Sequence, residues 1–264
     1  MNHWTLLLDG PCPGGYNMAV DELLLNQRQQ EFSPPSTCLR FYQWSSPTIS
    51  LGFSQKAART VNFEFCRTAG IDVVRRITGG KAVLHHQEIT YSLVSNDLGF
   101  FPESDILGTY AKIARALQTG LAKIGLETEV ASGPRVTHKS PRAAAHPSCF
   151  AAANHHEILL QGQKLVGSAQ RRAGKAFLQH GSILLDYDAA LWTRALQGGC
   201  GKEGFPQVAT LRHHLQRLPE TAFLLEKLAA GFAETFQTEL EKACLVEELE
   251  ARARTLGSDK YVAG

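Results

Sequence analysis

The sequence predicts an α+β fold, a mixed and mostly antiparallel sheet flanked by helices. Three observations predict it. Five short runs rich in β-branched and aromatic residues crowd positions 37–95, three more lie between Glu157 and Tyr187, and stretches with helical spacing stand before, between and after them. Strands therefore come in groups, which separates this pattern from the strict alternation of a parallel βαβ array.

The first element is a helix over YNMAVDELLLNQRQQ, with Met18, Leu23, Leu24 and Leu25 on an apolar side, and SPPS breaks it. Candidate strands follow at TCLRFYQW, TISLGF, DVVRR, KAVLHH and EITYSLVS, separated by Gly, Pro and Ser. Ser104 is the expected cap of a helix over DILGTYAKIARALQTGLAKIG. In it Ile106, Tyr110, Ile113, Leu117, Leu121 and Ile124 recur at helical spacing before Gly125. The run EILLQGQKLVGSAQRRAGKAFLQHGSILLDY reads as three antiparallel strands divided by GQ and AGK. After Tyr187 the chain turns helical in DAALWTRALQ and ETAFLLEKLAAGFAETFQTEL, then ends in a charged stretch. One domain over 1–264 is expected, with its core at about 33–220 and a small helical C-terminal extension.

Bulk properties exclude several function classes. A chain of 264 residues with 44% hydrophobic content buries a sizeable core. Its 27 Lys and Arg against 25 Asp and Glu leave a formal +2, too even for a nucleic-acid binder that relies on counterion release. The start, MNHWTLLLDG, lacks the basic region of a secretory signal and carries an early Asp9. No apolar run approaches the roughly 18–20 residues that span a bilayer. A cytoplasmic protein without membrane partners is expected. The six cysteines, at 12, 38, 66, 149, 200 and 244, contain no CxxC pair and read as reduced thiols, mostly small buried hydrophobes.

Common nucleotide and metal signatures fail on spacing. A GxxxxGK[ST] loop ending at Gly80 and Lys81 would need glycine where Arg75 stands. Gly199, Gly201 and Gly204 form a GxGxxG that follows a helical run instead of a strand, so it reads as a loop. His138, His146, Cys149, His155 and His156 crowd one segment, yet no Cys-x2-4-Cys or His-x3-5-His pair completes a tetrahedral set. No metal and no cofactor are expected.

Two stretches are richer. In VVRRITGGKAVLHHQEITYSLV, two arginines end a strand, and Thr78-Gly79-Gly80 forms a turn whose missing side chains let backbone approach a ligand. An ordinary hairpin with a Gly-Gly turn explains the same residues, and local chemistry favours it. In QGQKLVGSAQRRAGKAFLQHGSILL, Lys164 opens a strand and Gly167, Ser168 and Ala169 leave room against a sheet. A strand lysine is normally a solvated charge; the alternative is a fixed cation beside a reacting carbonyl or thiol. Cys149 stands in a loop between Pro147-Ser148 and Phe150, with Lys139, Arg142 and His146 upstream. Burial, metal binding and nucleophilic chemistry all remain open for it on local grounds.

Together these stretches resemble the lipoate-protein ligase and octanoyltransferase family, which has the biotin/lipoate ligase catalytic fold, like that of class II aminoacyl-tRNA synthetases. The resemblance runs through YNMAVDELLL and LRFYQWSSPTISLGFSQ, is strongest at RRITGGKAVLHHQEITYS, and continues through CF, EILLQGQKLVGSAQRR and LQHGSILLD to DKYV. It overturns the hairpin reading of the Gly-Gly turn. The family holds ATP-dependent ligases and thioester-using acyltransferases, and the cysteine separates them. Cys149, directly before Phe150 and fifteen residues ahead of Lys164, matches the M-type acyltransferase branch. Lys81 and His86 depart from the family pattern, where glycine or arginine and an acid are usual.

The resemblance implies that Cys149 carries an octanoyl chain as a thioester and that Lys164 lowers its pKa. Arg76, Gly79, Gly80, His85, Gly167, Ser168 and the QHGS turn with Gln179, His180 and Gly181 would bind substrate, the backbone near Gly167 and Ser168 helping to hold an oxyanion. The donor would be octanoyl-acyl carrier protein and the acceptor a lipoyl domain, such as the glycine-cleavage H protein. An ATP-dependent lipoate ligase, an amidotransferase between lipoyl domains and a non-catalytic acyl-binding module are the rival readings.

Overall fold

The computed structural model describes residues 3–131, 157–197 and 208–261. In chain order they form β1 (His3–Cys12), α1 (Gly14–Gln29), β2 (Thr37–Trp44), β3 (Thr48–Leu51), α2 (Ala57–Thr60), α3 (Phe63–Thr68), β4 (Asp72–Arg75), β5 (Val83–His85), β6 (Glu88–Ser95) and α4 (Ile106–Ala122). Then come β7 (Glu129–Val130), β8 (Ile158–Leu160), β9 (Gln163–Ala173), β10 (Ala176–Leu184), α5 (Ala189–Ala195), α6 (Leu211–His214), α7 (Thr221–Phe236), β11 (Glu239–Ala243) and α8 (Glu247–Lys260).

Eight strands make one sheet in the order β11-β1-β2-β6-β10-β9-β8-β7, and β4-β3-β5 make a second. Within the large sheet, β1 pairs in parallel with β11 and β2, and every other pairing is antiparallel. The mixed, mostly antiparallel sheet with flanking helices agrees with the sequence reading.

Alternation decides where the core and the site fall, because successive strand residues face opposite sides. Leu39 and Phe41, Ile89, Tyr91 and Leu93, and Phe177 and Ile183 share one core with Leu117, Leu121, Leu228 and Phe232 of α4 and α7. The other face lies under α1, where Cys38, Tyr42, Val94 and Leu178 meet Met18, Leu24 and Leu25. That second face also carries Arg40, Thr90, Ser92, His180 and Ser182, all buried. An ordinary amphipathic strand leaves its polar face in water; here that face is covered. Register aligns it, with Arg40 opposite Ser92 and Ser92 opposite His180.

The C-terminal helices join these cores. Leu224, Leu228 and Phe232 of α7 lie in the first cluster, and Leu249 and Ala253 of α8 lie in the second. Helices α4 and α7 touch at backbone level. A Cβ on Gly231 would stand 2.4 Å from both Ala116 O and Gly120 N.

Several expectations change. Asp105, not Ser104, caps α4, its carboxylate accepting from Gly108 N–H at 2.8 Å. Strands β1 and β11 and the short helices α2 and α3 were not anticipated. The turn between β8 and β9 is Gln161-Gly162, both with positive φ, one residue before the expected GQ. No described helix is long and apolar enough to cross a membrane.

Candidate active site

Arg75 ends β4 and Arg76 follows it, and their side chains point in opposite directions. Arg75 faces outward along the neighbouring loop, where its Nη1 donates to Gly52 O at 3.0 Å, Phe53 O at 3.1 Å and Gln55 O at 2.7 Å. Arg76 turns inward and is buried. Its Nε donates to Thr78 Oγ1 at 3.1 Å, and its Nη1 to Ser50 O at 2.8 Å and Ser50 Oγ at 3.0 Å. Its Nη2 donates to Gly79 O and Lys81 O, both at 2.8 Å. A guanidinium has five N–H groups, and these five bonds match them. Arg76, expected beside a ligand, clamps the loop from within.

That loop is not a hairpin turn, because β4 and β5 do not pair with each other. Strand β3 lies between them, parallel to β4 and antiparallel to β5, so residues 77–82 cross over β3. The crossing is close: Phe53 N–H donates to Thr78 O at 2.9 Å, and a Cβ on Gly52 would stand 1.9 Å from Gly80 O. Gly80 has φ +94°, a region that L side chains rarely adopt. Gly79, its exposed neighbour, has nothing within 4 Å of where a Cβ would lie. The loop therefore presents open space at Gly79.

Behind the loop lie two imidazoles. Ring nitrogen Nε2 of His180 stands 2.7 Å from Thr78 Oγ1, and its Nδ1 stands 3.0 Å from Asp21 Oδ2. Asp21 also accepts from Arg40 Nη1 at 3.0 Å and Tyr42 OH at 3.2 Å. Nε2 of His85 stands 2.7 Å from Ser50 Oγ, and its Nδ1 stands 2.8 Å from Glu88 Oε1. Glu88 Oε1 accepts further from Thr90 at 2.6 Å and Ser182 at 2.8 Å. The His85 ring stacks on Trp44 with centroids 3.9 Å apart.

Burial alone would raise the Asp21 carboxyl, but the His180 hydrogen bond and the Arg40 charge outweigh it and hold the group below its ordinary value. Burial pushes the His180 imidazole down, and Asp21 only partly opposes this, so the neutral ring is favoured.

A narrow cavity of about 30 Å³ opens here, lined by Arg76, His85, His180, Gly167, Ser168 and Gly181 among others. Six of the expected binding residues thus meet at one place. Gly181 keeps strands β9 and β10 tight against Tyr91. A Cβ there would come within 2.6 Å of Gly167 O and 2.7 Å of Ser168 Oγ and the Tyr91 ring.

Gln179, His180 and Gly181 lie within strand β10 and not in a turn. Alternation then puts Gln179 on the opposite face from His180, where it donates to Tyr91 OH at 2.9 Å and accepts from Gln170 at 3.0 Å. Lys164, buried on β9, donates to the buried Glu157 at 2.5 Å. Cys149 falls outside the described residues, as does the Gly199-Gly201-Gly204 run. Of the other cysteines, Cys38 and Cys66 are pushed up to about 11, by burial foremost, which keeps them protonated thiols near neutral pH. Cys12 is half-buried and Cys244 exposed, so burial is not the rule for all of them.

Sequence reasoning missed Asp21, Ser50, Glu88 and Glu157, and it read Thr78 only as part of the turn. For Asp21 a signal existed: the residues of α1 that are buried include Met18, Leu24 and Leu25 and also Asn17, Asp21 and Arg28. A charged residue on the apolar stripe of a helix signals a buried partner.

Comparison with known proteins places these features in a wider set. The family model described as "Lipoyl protein ligase A/B catalytic domain" matches residues 13–233. The protein named Octanoyltransferase LipM from Moorella thermoacetica is 36% identical over 267 residues, covering 98% of this chain and 96% of that one. Its namesake from Symbiobacterium thermophilum is 35% identical over 269 residues, with 98% and 96% covered. Among solved structures, a lipoate-protein ligase A bound with ATP superposes with a TM-score of 0.75 at 24% identity, covering 98% of this chain and 96% of that one. The bipartite lipoate protein ligase from Thermoplasma acidophilum gives 0.74 at 22% identity, covering 98% and 93%. At these identities the two structures speak to the fold alone.

Proposed function

The chain belongs to the lipoyl protein ligase A/B catalytic family, and on that premise we propose that it is an octanoyltransferase of lipoate biosynthesis. Its donor is octanoyl-acyl carrier protein, and its acceptor is the lysine of a lipoyl domain such as the glycine-cleavage H protein. One observation carries the reading: identity of about a third with octanoyltransferases extends over nearly the whole of both chains. The 264 residues act as one catalytic domain in the cytoplasm, with core residues drawn from α1 through α8.

The reaction has two halves. The Cys149 thiolate attacks the octanoyl carbonyl carbon; a new S–C bond forms, the bond to the carrier sulfur breaks, and the carrier thiolate takes up a proton. The uncharged acceptor amine then attacks the acyl-enzyme. An N–C bond forms, the Cys149 S–C bond breaks, and the amine loses one proton to water. Exchange of one thioester for another is nearly neutral in free energy and amide formation from a thioester is downhill, so no nucleotide is consumed.

Each retained residue takes a definite part. Lys164, oriented by Glu157, provides a fixed ammonium beside the reacting sulfur and carbonyl oxygen. Backbone at Gly79, whose side is open, and at Gly167 and Gly181 borders the acyl path. Arg76, His85 and His180 shape that path from behind.

The test mixes enzyme, octanoyl-carrier and apo H protein without nucleotide and follows the acceptor by mass. Octanoyl addition is the expected result. No addition, together with lipoylation when ATP and free lipoate are supplied, overturns the reading in favour of a ligase. A faster rate from octanoylated H protein than from the carrier makes the enzyme an amidotransferase.

A further inference from the structure

Two hydroxyl–imidazole–carboxylate chains converge on one buried arginine, and we infer that Asp21 and Glu88 are positioning residues that hold the Gly79-Gly80 loop through Arg76. The chains are Arg76–Thr78–His180–Asp21 and Arg76–Ser50–His85–Glu88. Their link lengths nearly repeat: 3.1, 2.7 and 3.0 Å in the first, and 3.0, 2.7 and 2.8 Å in the second.

Proton order follows from what each group can do. Arginine only donates, so Thr78 Oγ1 and Ser50 Oγ accept from it. Each hydroxyl has a single proton, and each stands 2.7 Å from a ring Nε2 able to take it. That leaves each ring's proton on Nδ1, facing a carboxylate oxygen. Both carboxylates are fixed as acceptors: Asp21 receives Arg40 and Tyr42, and Glu88 receives Thr90 and Ser182. Thr90 itself accepts from Trp44 Nε1 at 2.8 Å, so its own proton is committed to Glu88. With one proton per ring, placing it on Nε2 would set the bare Nδ1 against a carboxylate oxygen, two lone pairs face to face in a buried place, a costly arrangement.

The chains also tie the loop to other parts of the fold, beside the bond from Arg171 Nη1 on β9 to Ile77 O at 3.0 Å. Ser50, Arg76, Thr78 and His85 belong to the small sheet and its crossing loop. Asp21 belongs to α1, while Glu88 and His180 belong to the large sheet. Arg76 then fixes the loop itself through Gly79 O and Lys81 O. A carboxylate on α1 thereby determines where the backbone at Gly79 stands, although it does not reach the cavity edge itself.

The proton order stands on geometry; its effect on turnover rests on the octanoyltransferase reading, and the two are tested apart. Nitrogen NMR of protein labelled at histidine, with His85→Gln and His180→Gln for assignment, reads the tautomers directly. In both rings the proton is expected on Nδ1, with Nε2 accepting from the hydroxyl. A proton on Nε2 of either ring overturns the inference, whatever the enzyme turns over. For turnover, Asp21→Asn and Glu88→Gln are expected to lower kcat by roughly 10- to 100-fold, as small misplacements of a site do, with KM for the carrier within about twofold. Thr78→Val, which removes a hydroxyl without touching a charge, is expected to act alike, and Thr78→Ser to restore kcat to within about threefold. Folded Thr78→Val protein with the wild-type kcat overturns the inference, as does a rise in KM alone.

Discussion

Gly79 and Gly80 stand side by side with opposite requirements. Gly80 needs its φ of +94°, and a Cβ there would lie 2.8 Å from Arg76 Nη2. Gly80→Ala is therefore expected to lose about 1–2 kcal/mol of stability, seen as a lower Tm. Gly79 has open space where a Cβ would go. Gly79→Ala is expected to melt like the wild type yet to transfer octanoyl about tenfold more slowly, because on the proposed function the methyl group would enter the acyl path. Equal melting losses in the two variants contradict this division. From the sequence both glycines read alike, as absent side chains in a turn, since φ and neighbours across the fold are not written in the local string. Arg76 was legible as a candidate site residue, but its direction was not. Three of its five bonds go to the loop, and the other two depend on where β3 brings Ser50.

At the scale of elements, the central strands and the long helices could be read because each carries a strong pattern. In β6, Ile89, Tyr91 and Leu93 alternate with polar residues, and α4 repeats its apolar residues at helical spacing. Strands β1 and β11 could not. The residues of β11, ELEKA, include none that is fully buried, so pairing with β1 alone makes it a strand. Two backbone sites yield predictions here. Gln161 has φ 51° beside Gly162 at φ 78°, a two-residue turn in which Asn tolerates the left-handed region better than Gln. Gln161→Asn is expected to raise stability by up to about 1 kcal/mol in denaturant titration. Gly231 lets α7 touch α4 at backbone level. Gly231→Ala is expected to cost about 1–3 kcal/mol, as overpacked sites do; an unchanged midpoint would show that the helices separate freely.

For the molecule as a whole, the polar seam between the two sheets sets the response to acid. His180 is lowered from 6.5 by burial, so the folded protein keeps it neutral at pH values where the unfolded chain is already protonated. The unfolded state then binds more protons below about pH 6.5, and stability falls as pH drops through that range. The groups facing His180 are Asp21 on α1, Arg40 and Tyr42 on β2, Arg76 and Thr78 on the loop, and His85 on β5. Asp21, lowered from 3.8, adds a second loss at still lower pH. Melting at pH 5.5 is expected below melting at pH 7.5, with a smaller difference in His180→Gln; a higher Tm at pH 5.5 contradicts the neutral ring. The fold class was legible because whole groups of strands and helices contributed to it. The seam was not, since Asp21, Arg76, Glu88 and His180 are far apart in sequence and meet only through sheet order and register. Intact mass of the enzyme quenched after brief mixing with octanoyl-carrier alone tests the proposal that Cys149 carries the octanoyl group. One added octanoyl mapping to Cys149, absent in Cys149→Ala, is the predicted result; an unmodified enzyme that still octanoylates apo H protein would contradict it.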